Sequence, residues 1–213
     1  MTGQVIAFEG VDTDILSMQA ENLAHLLKKK EGRSVITTRE PTDGPLGAQL
    51  RLLLNGRIDM HQYASALLAV ADRMDHYYGV KENDPNSILV DIQNSKYVLC
   101  VRYLLFAYAN YSDIVPLEWL MRINIFIPWP DLVIFVDVPI DSVLTKIIKE
   151  HGYNEAEVRI KREELINLRT HYLYAINALR GEGRQIEIIE SDSMDFIHRH
   201  CVKLVEQRLR LEQ

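Results

Sequence analysis

Cysteine is nearly absent: the chain holds two, Cys100 and Cys201, far apart, without CxxC spacing, and Cys100 lies within an apolar run. That excludes a disulfide framework and offers no zinc motif, so a reducing, cytoplasmic setting is expected. Long apolar runs are missing too. None approaches the roughly 18 residues that span a bilayer, and no basic segment with a long apolar stretch follows Met1, so no membrane anchor or export signal is expected. There is no basic excess. With 24 Lys+Arg against 30 Asp+Glu the formal charge is −6, a field that repels nucleic acid and anionic membranes. Repeats and low-complexity tracts are lacking, and His198 and His200, two apart, point away from each other on a helix. What remains is 47% hydrophobic and 25% charged residues with few Gly and Pro, the balance of a globular chain, read here as one domain over residues 1–213.

Short apolar, β-branched runs recur at Val5 to Phe8, Ser34 to Thr38, Val98 to Val101, Leu132 to Val138 and Ile186 to Ile189. Each pair is separated by enough chain for a helical crossover, which predicts an α/β fold with a parallel sheet. Leu16, Ala20, Leu23, Ala24 and Leu27 form a helical stripe that collects Lys28, Lys29 and Lys30 at its end and stops at Gly32. Further stripes run through Leu46, Leu50, Leu53 and Leu54, and through Leu165, Leu168, Tyr172, Ile176 and Leu179 to Gly181. Asp84-Pro85-Asn86 and Ile127-Pro128-Trp129-Pro130 read as breaks between elements, not as interdomain linkers.

A buried strand entering Gly10, followed by a helix, is the setting of a phosphate-binding loop. Such a loop needs glycines around the phosphates, a lysine for the β and γ groups and a hydroxyl for Mg²⁺. In Gly10-Val11-Asp12-Thr13-Asp14-Ile15-Leu16-Ser17 only the first glycine and the final hydroxyl are present. Gly10 and Ser17 are therefore the candidate nucleotide-binding positions.

Phe8-Glu9-Gly10-Val11-Asp12, Thr38-Arg39-Glu40-Pro41 with Pro45-Leu46-Gly47, Ala71-Asp72-Arg73 with His76, Arg102-Tyr103, and Pro130-Asp131-Leu132 through Asp137-Val138-Pro139 follow in one order. Together they resemble the thymidylate kinases, P-loop enzymes that phosphorylate dTMP with ATP and Mg²⁺. The resemblance covers nearly the whole chain. It implies a five-stranded parallel sheet flanked by helices, of the nucleoside monophosphate kinase type, with a mobile lid at about residues 150–162. It also implies a nucleoside monophosphate ligand and pairing with a second copy or a related kinase.

Several positions depart from that family. Leu16 stands at the lysine and Ile15 at the second glycine, while Val101 replaces the aspartate of the family's DRY motif. Loss of one preorganised stabiliser costs roughly 10²- to 10³-fold in rate. Asp14 reads as a helix N-cap or solvated turn residue. Ala69 takes the place of the aromatic that stacks on thymine, with Ala107 and Tyr111 where polar base contacts are expected. The resemblance assigns Asp12, Arg39, Arg73, Arg102 and Tyr103 to the acceptor nucleotide, and Arg102, Arg159 and Arg162 to the transferring phosphate. Each also has a plain reading: a surface or packing residue, a helix ion pair for Arg73, and a basic face on a solvated helix for Arg159, Lys161 and Arg162. No metal ligands are assigned. The expected function is a thymidylate-kinase-like protein with lost or strongly impaired phosphoryl transfer, serving as regulatory or assembly partner or as residual nucleotide binder. The alternative is an active nucleotide kinase with a non-standard phosphate loop, using ATP and Mg²⁺.

Overall fold

The computed structural model describes residues 3–31, 34–81 and 84–210. Five strands, β1 (Gln4–Gly10), β2 (Val35–Arg39), β3 (Tyr97–Val101), β4 (Leu132–Asp137) and β5 (Ile186–Glu190), form one sheet in the order β2-β3-β1-β4-β5. Every pairing is parallel, as the alternating pattern of runs predicts. The three central strands are buried at every position, which is why each contains a run of apolar residues. The edge strands β2 and β5 have exposed positions instead.

Between β1 and β2 lies α1 (Thr13–Glu31), and α2 (Pro45–Leu54), α3 (Gln62–Tyr78) and α4 (Ile88–Gln93) connect β2 to β3. Next come α5 (Leu104–Tyr111) and α6 (Leu117–Ile123), then, after β4, α7 (Ile140–His151) and α8 (Glu155–Gly181), and finally α9 (Met194–Arg210). The stripe of Leu16, Ala20, Leu23, Ala24 and Leu27 is buried throughout, and Gly32, the expected stop, lies outside the described residues. Two helix pairs, α1 with α9 and α5 with α8, cover the sheet. Tyr172 of α8 lies 5.0 Å, ring to ring, from Phe135 of β4. No described helix is long and apolar enough to cross a membrane.

Residues 150–162 comprise the end of α7, a short connection and the first turns of α8. Gly152 closes α7 in a left-handed conformation (φ 65°), the form glycine adopts at least cost. Asn154 then opens α8 with a capping box: its Oδ1 accepts from the Ala156 and Glu157 N–H groups, and Glu157 Oε2 accepts from the Asn154 N–H. Because every strand is parallel, Gly10, Arg39, Val101 and Asp137 end on one edge of the sheet, the edge at which open α/β folds bind ligands.

Candidate active site at the strand ends

The residue after β1 decides what this edge can hold. Only Val11 and Asp12 separate β1 from α1, so residues 13–16 form the first helical turn and no open loop exists. Gly10 is required by a close approach, since a Cβ there would lie 2.5 Å from the Val136 carbonyl oxygen. Asp12 is the helix N-cap. Its Oδ1 accepts from the N–H groups of Asp14 (3.0 Å) and Ile15 (3.2 Å), and its carbonyl accepts from the Leu16 N–H at 3.2 Å. A carboxylate of the chain itself thus takes the position at a helix N-terminus where a phosphate would sit. The cap is Asp12 and not Asp14, because the helix starts one turn before the Leu16 stripe requires.

Lys146 of α7 closes over this cap. Its Nζ lies 3.1 and 3.4 Å from the two Asp12 oxygens and 2.5 Å from Asp14 Oδ2. Burial pulls the Lys146 pKa down, but the two carboxylates outweigh it and the ammonium is held more firmly protonated than usual. Leu16 is 1% exposed within the core, and half-buried Ile15 packs against it. The Ser17 hydroxyl donates to the Thr13 carbonyl (2.9 Å), a bond inside its own helix.

The end of β3 is the second part of the edge. Val101 is buried, and Arg102 adopts φ +62°, unusual for a residue with a side chain. Its N–H donates to the Phe8 carbonyl at 2.8 Å, and its guanidinium lies 4.2 Å from the Phe106 ring centroid. Among the described residues Arg102 forms no ion pair, and its buried Nε has no partner. Behind it Glu9 is fully buried. Its Oε1 accepts from the Tyr103 N–H (2.8 Å) and its Oε2 from the Tyr172 hydroxyl (3.2 Å). Desolvation raises its pKa from 4.5 to about 7, with these hydrogen bonds and the charge of Arg102 opposing the rise.

On the acceptor side the resemblance places Arg73 against the base or phosphate of the acceptor nucleotide, and the structure places it inside the protein. Arg73 is 2% exposed. Its Nε and Nη2 hold Glu40 Oε2 (2.8 and 2.7 Å), Nη1 donates to Asn124 Oδ1 (2.7 Å) and Nη2 to the Tyr103 carbonyl (3.2 Å). Glu40 Oε1 meets His76 Nδ1 at 3.1 Å, and His76 Nε2 meets Thr38 Oγ1 at 2.7 Å. Cys100 joins Glu40 and His76 as a trio of metal-ligand type, donor atoms within 4.8 Å. Arg73, Thr38 and the pair's own contact already occupy the carboxylate and both imidazole nitrogens. Ala69, Arg73, Ala107 and Tyr111 do come together, around a cavity of only ≈ 20 Å³. That is room for about one water. The Tyr111 hydroxyl bonds the Ser65 hydroxyl at 2.9 Å.

The remaining candidates differ in their surroundings. Arg39 is exposed and paired with Asp43 (2.8 Å), and with Ser17, Thr38 and Val101 it lines an open cleft of ≈ 310 Å³ at the strand-end edge. Tyr103 is fully buried, its hydroxyl without a partner among the described residues. Arg159 is exposed and forms no ion pair among the described residues, whereas Arg162 pairs with Asp141 across to α7 (2.5 Å). Gly10, Asp12, Ser17, Arg39 and Arg102 thus share the strand-end edge, and Arg73 and Tyr103 lie beneath it. Sequence reasoning missed Lys146, which stands 134 residues from Asp12, and the Arg169 fork on Asp137 (2.6 and 2.7 Å) at the end of β4. The only signal for the Asp12 cap is an aspartate three residues before Ile15 at a helix start.

The sheet order and the strand-end cleft define a nucleoside monophosphate kinase fold of the P-loop class. The family model for thymidylate kinase matches residues 8–199. A probable thymidylate kinase of Pyrococcus abyssi is 31% identical over 98% of both chains. One of Thermococcus onnurineus is 33% identical, covering 96% of this chain and 98% of its own. The crystal structure of thymidylate kinase from Ehrlichia chaffeensis, 19% identical, superposes with a TM-score of 0.70 over 97% of this chain and 99% of its own. The chain belongs to the thymidylate kinase family.

Proposed function

We propose that this thymidylate-kinase-like protein has lost, or retains only weakly, ATP-dependent phosphorylation of dTMP. The observation that carries this reading is the Asp12 carboxylate on the Asp14 and Ile15 N–H groups. A triphosphate at the same helix end must displace an internal anion that is already capped, hydrogen-bonded and paired with Lys146. Phosphoryl transfer depends on positioning and charge stabilisation, and the family's ATP and Mg²⁺ do not fit the residues present. Leu16 offers no charge, Ser17 is bonded within its helix, and Val101 supplies no carboxylate. The ≈ 20 Å³ cavity on the acceptor side supports the same reading. We assign the protein a regulatory or assembly role, as a homodimer or with a related kinase, in the cytoplasm. Exposed Leu52 and Leu67 on α2 and α3 offer an apolar face for such pairing.

One observation favours an active kinase: Lys146 brings an ammonium to the end of α1, where Leu16 brings none. In that reading Lys146 exchanges its aspartates for phosphate oxygens. Calorimetric titration with ATP·Mg²⁺ and with dTMP separates the two. The proposal expects dissociation constants in the millimolar range or no heat. Micromolar ATP binding that is lost in Lys146→Ala would establish the active reading instead.

A further inference from the structure

A second cavity lies beside α5 and α6, where the connections into β4 and β5 pass. It encloses ≈ 430 Å³, within the size of small-molecule sites. Its floor is apolar and aromatic: Tyr108 and Leu179 are buried there, and Trp129 forms a wall. Arg184 lies over the Trp129 ring at 5.4 Å, and Arg122 lines the same opening. In a chain with an excess of acids, neither guanidinium has an ion-pair partner among the described residues. Glu118 and Glu182 also line the cavity, and among the described residues neither forms an ion pair with Arg122 or Arg184.

We propose that this cavity binds a planar aromatic molecule carrying an anionic group, the ring on Trp129 and Tyr108 and the anion between Arg122 and Arg184. Aromatic floor and guanidinium rim meet these two halves of the ligand: stacking and apolar burial hold the ring, and the planar donor forks of arginine hold the anion. The site does not depend on the phosphate loop, so it stands or falls separately from the proposed loss of kinase activity. It touches the buried network at one point, since Asn124 lines the cavity and accepts from Arg73.

The probe is 1-anilinonaphthalene-8-sulfonate, an aromatic sulfonate, titrated into a Trp119→Phe chain so that Trp129 is the sole tryptophan. Saturable one-to-one quenching of Trp129 with a rise in probe emission is expected. Arg122→Ala with Arg184→Ala should weaken binding by about tenfold or more, given the worth of a charge-assisted bond and a cation–π contact. Both arginines are exposed, so these variants keep the core intact. 1-Naphthalenemethanol, the uncharged counterpart, should bind at least about tenfold more weakly for the same reason. Probe emission without Trp129 quenching, affinity unchanged in the arginine variant, or a dimer in sedimentation whose Trp129 is shielded from the probe would each overturn the proposal.

Discussion

Replacing Glu9 by glutamine should remove a pH dependence from the protein's stability. Glu9 is fully buried, and its pKa is raised from 4.5 to about 7. In the unfolded chain the carboxyl loses its proton near 4.5, whereas the folded site keeps it up to about 7. Between those values the native state binds more protons, so stability falls as pH rises through the window and levels off above it. The shift corresponds to about 3 kcal/mol across the window. Glutamine preserves the frame, its carbonyl accepting from Tyr103 N–H while its amide donates to the Tyr172 oxygen. Urea unfolding of both proteins from pH 4 to pH 8 measures the difference. The glutamine variant should gain on the parent by about 3 kcal/mol over that range, with most of the gain between pH 4.5 and 7. A difference that does not change with pH would refute the burial argument, and so would one that grows as pH falls.

Three further outcomes are expected. Arg73→Ala strands Glu40 in the interior and should cost about 3–5 kcal/mol in urea unfolding; a cost under about 1 kcal/mol would mean the pair is solvated. Asp12→Ala removes a helix cap and should cost about 1 kcal/mol, and a double-mutant cycle with Lys146→Ala should give a coupling of under about 1 kcal/mol, because Lys146 is partly exposed. The motif repair Ile15→Gly with Leu16→Lys should raise ATP affinity by less than about tenfold, or 1.4 kcal/mol, since Asp12 still holds the helix end; micromolar ATP binding by the repaired chain would contradict that reasoning.

The strands were legible because β1, β3 and β4 are buried on both faces, so Val5 to Phe8, Val98 to Val101 and Leu132 to Val136 carry unbroken apolar runs. The stripe beginning at Leu16 was legible because its periodicity and its burial have one cause. The missing loop chemistry could be read residue by residue at Ile15, Leu16 and Val101. What fills the loop could not. Asp12 offers the same side chain to a ligand or to its own helix, and the choice is set by where α1 begins and by Lys146, which only the fold brings near. Arg73 was ambiguous for a related reason. The flanking Asp72 and Asp75 suggested an ion pair on the helix, whereas its partners are Glu40, Asn124 and Tyr103, 30 to 51 residues away. Local sequence carries no trace of such distant partners.

Loss of kinase activity is measured by phosphoryl transfer from labelled ATP to a panel of nucleoside monophosphates including dTMP, with Mg²⁺, at high protein concentration and long incubation. No labelled diphosphate above a heat-inactivated control is expected. Turnover on dTMP above that control would overturn the proposed loss of activity, and its abolition by Lys146→Ala would make Lys146 the cation of a working phosphate site.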